Sequence, residues 1–492
     1  MKKIIILFAV IALLPMVSCK KYLEVNPTNV ISISNYDDVK ALMGAYIRSF
    51  TTTSYTLSNA AIPYRRDDNH MFFAIYADEL DVDVLLNDAM GRNKRALYNA
   101  SVNWDNTDYP ANLWTDHFNA IGFLNTIIDE LEGVEATAAE KDIVRCEAKV
   151  LRAWFLFKIQ QYFSPYGKAE LGIPFNFDSH AVGSYVSRRH TQAEVYATLT
   201  TELNEVLACA TPPRGTYNIF YDKRIANALL AQIYIFKGGS AAGESSDYAH
   251  AVTHAKAALE GRGIMGIGEF EPFNRFESSD PGLFTDTPQA MITSLSYISN
   301  GMYAYMGTSY ARRVRKEVYD NVYLADDIRR EKYFALIGAA SQPEEQKQYS
   351  IIKYFNVTPY GTTSTLALNF FQYADMHLIV AEAYARQNDA TNARLWLDSF
   401  KKERYAGFTS YTGSNLVEEV MLERRREFLL DYDMRWIDLI RDNRAWTRAS
   451  SGLDPNVTEV SIKVGDYRYC MPIPVTQELA NSNIDQNPGW DM

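Results

Sequence analysis

Helical periodicity constrains this chain most. Segments 35–50, 113–131, 138–163, 191–209, 222–237, 247–260, 371–386, 393–402, 416–430 and 434–441 all carry apolar residues at three- and four-residue spacing. Helix starts are marked as well. Asn35 leads into Asp37 and Asp38, and Thr191 stands three residues before Glu194, the spacing of a capping box. Between these helices, 51–109, 261–361 and 405–411 are rich in Gly, Ser, Thr, Asn, Asp and Tyr. Irregular stretches of such length inside a compact protein are usually functional. Short strands are expected within them, such as 290–296. The fold class is therefore mainly α, with helices supporting an irregular, loop-rich part.

Two segments repeat a helix–turn–helix pattern. One runs from Ala226 to Lys237, through a Gly/Ser turn, and on from Tyr248 to Leu259. The other runs from Leu378 to Arg386, through Gln387-Asn388-Asp389, and on from Ala390 to Phe400. Alanine at close-approach positions beside Tyr and Leu is how tetratricopeptide-like helix pairs stack. The copies are irregularly spaced, so a few such units with insertions are expected rather than a regular array.

The beginning of the chain sets its destination. Lys2 and Lys3 precede an apolar run over 4–17, followed by Ser18-Cys19-Lys20-Lys21. A basic start, a short apolar run and a small residue before the cut form a secretory signal. The cysteine directly after the small residue resembles a bacterial lipoprotein signal, in which Cys19 becomes the lipidated first residue. Met16 stands where Leu is commonest. Beyond residue 19 there is no second apolar run of membrane-crossing length. The 49 Lys and Arg face 60 Asp and Glu, a net −11 that becomes −13 once Lys2 and Lys3 leave with the signal. So acidic a body speaks against nucleic acid and against electrostatic attachment to anionic lipid. Of the four cysteines, Cys19 is assigned to lipid. Cys146, Cys209 and Cys470 are then an odd set that closes no disulfide framework. Cys146 and Cys209, inside helical patterns, read as buried small apolar residues.

Several motifs, in order, resemble the SusD/RagB family of Bacteroidetes outer-membrane lipoproteins. They begin at Cys19-Lys20-Lys21-Tyr22-Leu23-Glu24-Val25-Asn26-Pro27. Next comes Arg145-Cys146-Glu147-Ala148-Lys149-Val150-Leu151-Arg152-Ala153-Trp154-Phe155, leading through Gln161-Tyr162-Phe163 to Ile173-Pro174, with Trp114 and Asn125 on the helix before it. Tyr373-Ala374-Asp375-Met376, Glu423-Arg424-Arg425-Arg426-Glu427-Phe428 and Arg435-Trp436-Ile437-Asp438 follow. Pro472-Ile473-Pro474 and Asn487-Pro488-Gly489-Trp490 complete the set. The resemblance implies a SusD-like fold in which tetratricopeptide-like helix pairs scaffold an irregular ligand-binding part. It also implies a cell-surface, outer-membrane location and a SusC-type TonB-dependent transporter as partner, with an oligosaccharide or a peptide as ligand. Four regions are expected: a signal at 1–18, an N-terminal SusD-like region at 19–215, repeat helices with a loop-rich insertion at 216–370, and a C-terminal region at 371–492.

The charged motif residues have structural explanations. Arg145, Glu147 and Arg152 fix neighbours from one helix face, and Glu423, Arg424 and Glu427 do so at a helix junction, where arginine forks match carboxylates. Chemistry is harder to find. Asp78, Glu79, Asp81 and Asp83 could supply a carboxylate pair for an extracytoplasmic glycoside hydrolase, but they read equally as a solvated acidic loop. His250 and His254 have the spacing of a two-histidine metal face, yet no acidic residue stands between them and a surface pair is the better reading. No cofactor, no metal and no catalytic residue are expected. Sugar binding needs flat aromatic faces beside polar forks, and three clusters offer both. These are Tyr64, Arg66 and Asn69; Trp104, Asp105 and Tyr109; and Tyr297, Tyr303, Tyr305 and Arg312. Peptide ligands would use the same groups with backbone pairing. A helical scaffold without a small ligand is the third reading, favoured if these clusters are buried.

Overall fold

A computed structural model of the chain describes residues 33–49, 73, 76–80, 102–104, 109–179, 188–215, 218–266, 287–297, 313–353, 365–449, 459–474 and 484–490. Every segment expected to be helical on its 3.6-residue period is a helix. These are α1 (Tyr36–Ser49), α2 (Tyr109–Gly133), α3 (Ala138–Phe163), α4 (Gln192–Ala208), α5 (Lys223–Lys237) and α6 (Asp247–Leu259). The shorter α7 (Lys316–Val322) and α8 (Arg329–Tyr333) follow, then α9 (Tyr373–Arg386), α10 (Ala390–Lys402), α11 (Leu416–Glu427) and α12 (Met434–Arg441).

Their starts are closed by side chains. Thr191 accepts from the Glu194 amide at 3.2 Å while the Glu194 carboxylate takes the Thr191 amide at 2.7 Å. Thr137 and Glu140 form the same reciprocal pair at α3. Each pair satisfies amides that a helix end leaves unmade. α3 is buried on nearly every face from Val150 to Phe157, as expected of a helix enclosed by others. It packs on α2 and α4, α5 lies against α4 and α6, and α6 and α10 both lie against α9. The two helix–turn–helix units are thus present as α5–α6 and α9–α10, stacked through α6 and α9.

The described strands come in antiparallel pairs: β1 (Ala290–Tyr297) with β4 (Thr365–Gln372), β2 (Phe334–Ile337) with β3 (Gln348–Ile351), and β5 (Trp446–Ala449) with β6 (Glu459–Ile462). β1 is the strand expected at 290–296, whereas its partner β4 carries no strand signal of its own. β4 runs directly into α9, so the helix expected from 371 starts at Tyr373, and Phe371 at the junction takes a φ of 55°.

The motif charges are buried and paired. Arg424 on α11 reaches Asp375 of α9 at 2.7 Å and Asp438 of α12 at 2.9 Å. Arg441 places both guanidinium nitrogens on Glu382, at 2.7 and 2.9 Å. Arg404 does the same to Glu427, at 2.9 Å twice. Arg329, wholly enclosed, binds Asp327, Glu423 and Glu427 at 2.8, 2.6 and 3.0 Å. On α3, Arg152 pairs with Glu202 of α4 and donates to Asn125 of α2 at 2.7 Å. Glu147 acts on backbone instead. Its carboxylate accepts the amides of Ile219, Phe220 and Tyr221 and so shapes the turn before α5.

Candidate functional site

The aromatic clusters picked out in the sequence lie on segments whose described ends converge. Leu80 forms an antiparallel bridge with Val314, and the Arg315 amide donates to Glu79 O at 3.0 Å. The Tyr76 hydroxyl donates to Asn103 O at 3.4 Å. The segment before Tyr76, the segment from 81 to 101 and the segment ending at Arg313 therefore share one seat. That seat is a knot of rings. Trp104 meets Tyr76 edge-on at 4.6 Å, Trp436 at 5.5 Å and Tyr109 in a stack at 5.8 Å. Its Nε1–H donates to Arg468 O at 2.9 Å. Buried aromatic rings prefer such offset and edge contacts.

The seat is fastened to the C-terminal helices by charge. Arg435 of α12 forks onto Asp78 at 2.8 Å twice, and Arg425 of α11 reaches the same carboxylate at 2.9 Å. Burial alone would raise the Asp78 carboxyl, but the two guanidinium groups hold it well below the usual carboxylate range. Burial instead pushes the Glu79 carboxyl up to about 7, against the pull of Arg435 and Arg425. Glu79 is buried, 3.9 Å from Arg425 Nε.

Two of the candidate contact residues need correction. Trp104 is 0% exposed and Tyr109 3% exposed, so both pack the seat and present no face to solvent. Sequence spacing hides this because Trp104 is bonded to a residue 364 positions away. Tyr297 closes β1, paired with Thr365 at the far end of the β1–β4 ladder. Tyr64, Arg66, Asn69, Asp105, Tyr303, Tyr305 and Arg312 lie outside the described residues, as do Cys19, Asp81 and Asp83. Asp78 has both oxygens taken by arginine, which removes it from any acid–base pair. His250 and His254 both stack on Tyr234, at 4.8 and 5.6 Å, and His254 Nδ1 lies 2.8 Å from Asn227 Oδ1. Burial, then neighbouring His250, lowers His254 to about 4. These histidines pack α6 on α5. Nothing local in the sequence marks Arg425, Arg435 and Arg315 as the residues that fasten the seat; only their distant partners reveal the role.

Two cavities lined by described residues do not suit a sugar ring. One beside His377, Lys353 and Arg404 measures about 20 Å³, room for about one water. A larger slot of about 290 Å³ runs between α1 and α3, walled by Met43, Ile47, Ile143 and Val144 with no aromatic side chain. Among the described residues, no helix is long and apolar enough to cross a membrane.

A family model described as the SusD family matches residues 300–490. A second, described as starch-binding and associating with the outer membrane, matches residues 21–235. No curated protein matches the chain. Among solved structures, a SusD superfamily protein from Bacteroides thetaiotaomicron aligns with a TM-score of 0.67 at 18% identity, covering 92% of this chain and 100% of its own. A SusD-like carbohydrate binding protein from Bacteroides vulgatus aligns at 0.65 and 17% identity, covering 92% and 97%. Surface glycan-binding protein A from Bacteroides fluxus aligns at 0.63 and 15% identity, covering 92% and 99%. At such identities the structures speak for the fold. With both halves of the chain matched by models of one family and the fold shared almost end to end, the chain belongs to the SusD family.

Proposed function

We propose that this protein is a non-enzymatic, lipid-anchored capture protein at the outer-membrane surface. It takes up an oligosaccharide, or a peptide, and hands it to a SusC-type TonB-dependent transporter. One observation carries the reading: residues 21–235 match a family described as starch-binding and associating with the outer membrane. The geometry supports it. The described ends of the three aromatic- and fork-bearing segments meet in one seat, and Tyr64, Arg66, Asn69, Asp105, Tyr297, Tyr303, Tyr305 and Arg312 are the proposed ligand contacts. Rings stack on the apolar faces of sugars, and forked donors reach the hydroxyls. Lipid on Cys19 would hold the body at the membrane while the helical stack faces the transporter.

The rival reading, a glycoside hydrolase, needs a free carboxylate pair. Asp78 is engaged by two arginines and Glu79 is enclosed, which favours capture. The test is calorimetric binding of the lipid-free protein against panels of oligosaccharides and peptides, with product analysis of the same mixtures. Binding to one class without turnover is expected. Released sugar would support the hydrolase, and silence across both panels would support a scaffold without a small ligand. Co-purification of a β-barrel transporter with the full-length protein tests the partner.

A further inference from the structure

The thiols of Cys146 and Cys209 stand where α3 and α4 meet, and the pairing along that contact fixes them opposite one another. Arg152 on α3 pairs with Glu202 on α4, and one turn earlier on α3 Lys149 pairs with Glu205. A step of three residues back along α3 is thus matched by three residues forward along α4. One turn further on, three residues back along α3 and four forward past the end of α4, stand Cys146 and Cys209, the residue that caps α4. Contacts there agree. Cys209 Sγ donates to Asp142 Oδ2 at 3.5 Å, and Asp142 lies one helical turn before Cys146. The two thiols are side-chain neighbours, and the Tyr221 hydroxyl touches both. Cys146 is buried and Cys209 partly exposed. Two neighbouring thiols on an extracytoplasmic protein are a substrate for disulfide donors.

We propose that Cys146 and Cys209 are a redox modification site, closed to a disulfide by a donor disulfide so that α3 is stapled to the end of α4. This rests on the reading that the chain is exported. The partly exposed Cys209 attacks first. Its thiolate displaces one thiol from the donor and forms a mixed disulfide. Cys146 then attacks Cys209 Sγ, forms the protein disulfide and releases the second thiol. Two protein thiols are oxidised, the donor is reduced to two thiols, and the two protons go to solvent and the leaving groups. Burial first, then the neighbouring Cys209, pushes the Cys146 thiol up to about 12, which suits it to the second step rather than to initiation. Cys470, buried against Asn487, serves as the internal reference.

The test uses the purified protein carrying Cys19→Ser, which removes the lipid-bearing cysteine, with oxidised glutathione. Three thiols, at Cys146, Cys209 and Cys470, are expected to fall to one, with the intact mass lower by two hydrogens. A protease digest should hold a Cys146–Cys209 linked peptide, and the melting temperature should rise by several degrees. Cys146→Ser should trap a glutathione adduct on Cys209, a readout independent of stability. Persistence of all three thiols, or a crosslink through Cys470, overturns the proposal. Because the reaction runs in a tube, it stands or falls separately from export. Finding the cellular protein in the cytoplasmic fraction would defeat the export reading while a crosslink formed in vitro would still support the site.

Discussion

The C-terminal helix junction and the aromatic seat are both enclosed, but they are held differently. At the junction, Arg329, Arg404, Arg424 and Arg441 meet carboxylates from α9, α11, α12 and the 327 turn, each fork filled. In the seat, rings from residues 73–109 lie against Trp436 and Tyr432 of the C-terminal half, with one clamped carboxylate. Ion pairs in a low-dielectric interior are directional and fail badly when one partner goes. Ring packing tolerates exchange of shape provided volume is kept. The junction therefore fixes angles between helices, while the seat fixes only where the segments start.

Breaking the junction gives the largest effect. Arg329→Ala leaves Asp327, Glu423 and Glu427 without their shared cation and should cost about 3–5 kcal/mol. It is read as a lower urea midpoint by circular dichroism. The next change sharpens the contrast by pH. Glu79 titrates near 7 when folded, raised from 4.5 by burial. The folded state thus holds a proton that the unfolded state has lost between those values, so this group's contribution falls as pH rises from about 4.5 to 7. Glu79→Gln should make the protein more stable than the parent by about 3 kcal/mol at about pH 8 and leave it unchanged near about pH 4.5. Asp78, held low by its arginines, runs the other way and loses its contribution as pH falls below the ordinary carboxylate range. A smaller loss follows Trp104→Phe, about 1–2 kcal/mol for the missing Nε1–H bond to Arg468 and the ring volume given up. An aromatic ring still fills the seat, so ligand affinity should hold. A drop in affinity as large as that of a direct contact would return Trp104 to the binding surface. The smallest effect on stability, within about 0.5 kcal/mol, is expected of Tyr303→Ala, which should instead weaken binding by the ~1–3 kcal/mol of a lost aromatic stack, read by calorimetry.

Much of the scaffold is legible in the sequence because helix signals are local. The apolar period, Thr191–Glu194 and the alanines of α5–α6 and α9–α10 all act within a few turns. The roles of Arg424 and Glu427 at a helix junction are legible in kind, since arginine and carboxylate so close together rarely remain unpaired when buried. What stays hidden depends on distant partners. β1 finds β4 across the intervening 313–353 region, and β2–β3 and β5–β6 are four-residue strands too short to show alternation. α7 and α8, with seven and five residues, are too short for a period to register. Trp104 and Tyr109 carry the right chemistry for a sugar, but rings that suit a sugar suit a core equally, and only the position of Trp436 decides between them.

The Leu80–Val314 bridge has a consequence for how such a protein changes over generations. Segment 81–101 departs from Leu80 and returns at Val102, and segment 298–312 leaves Tyr297 and returns at Arg313. With both ends of each span pinned, each doubling of its length adds a closure cost of about 0.6 kcal/mol. Under the capture reading proposed above, a lineage changes its ligand by rewriting these spans while the ion pairs and helix contacts of the described body are kept.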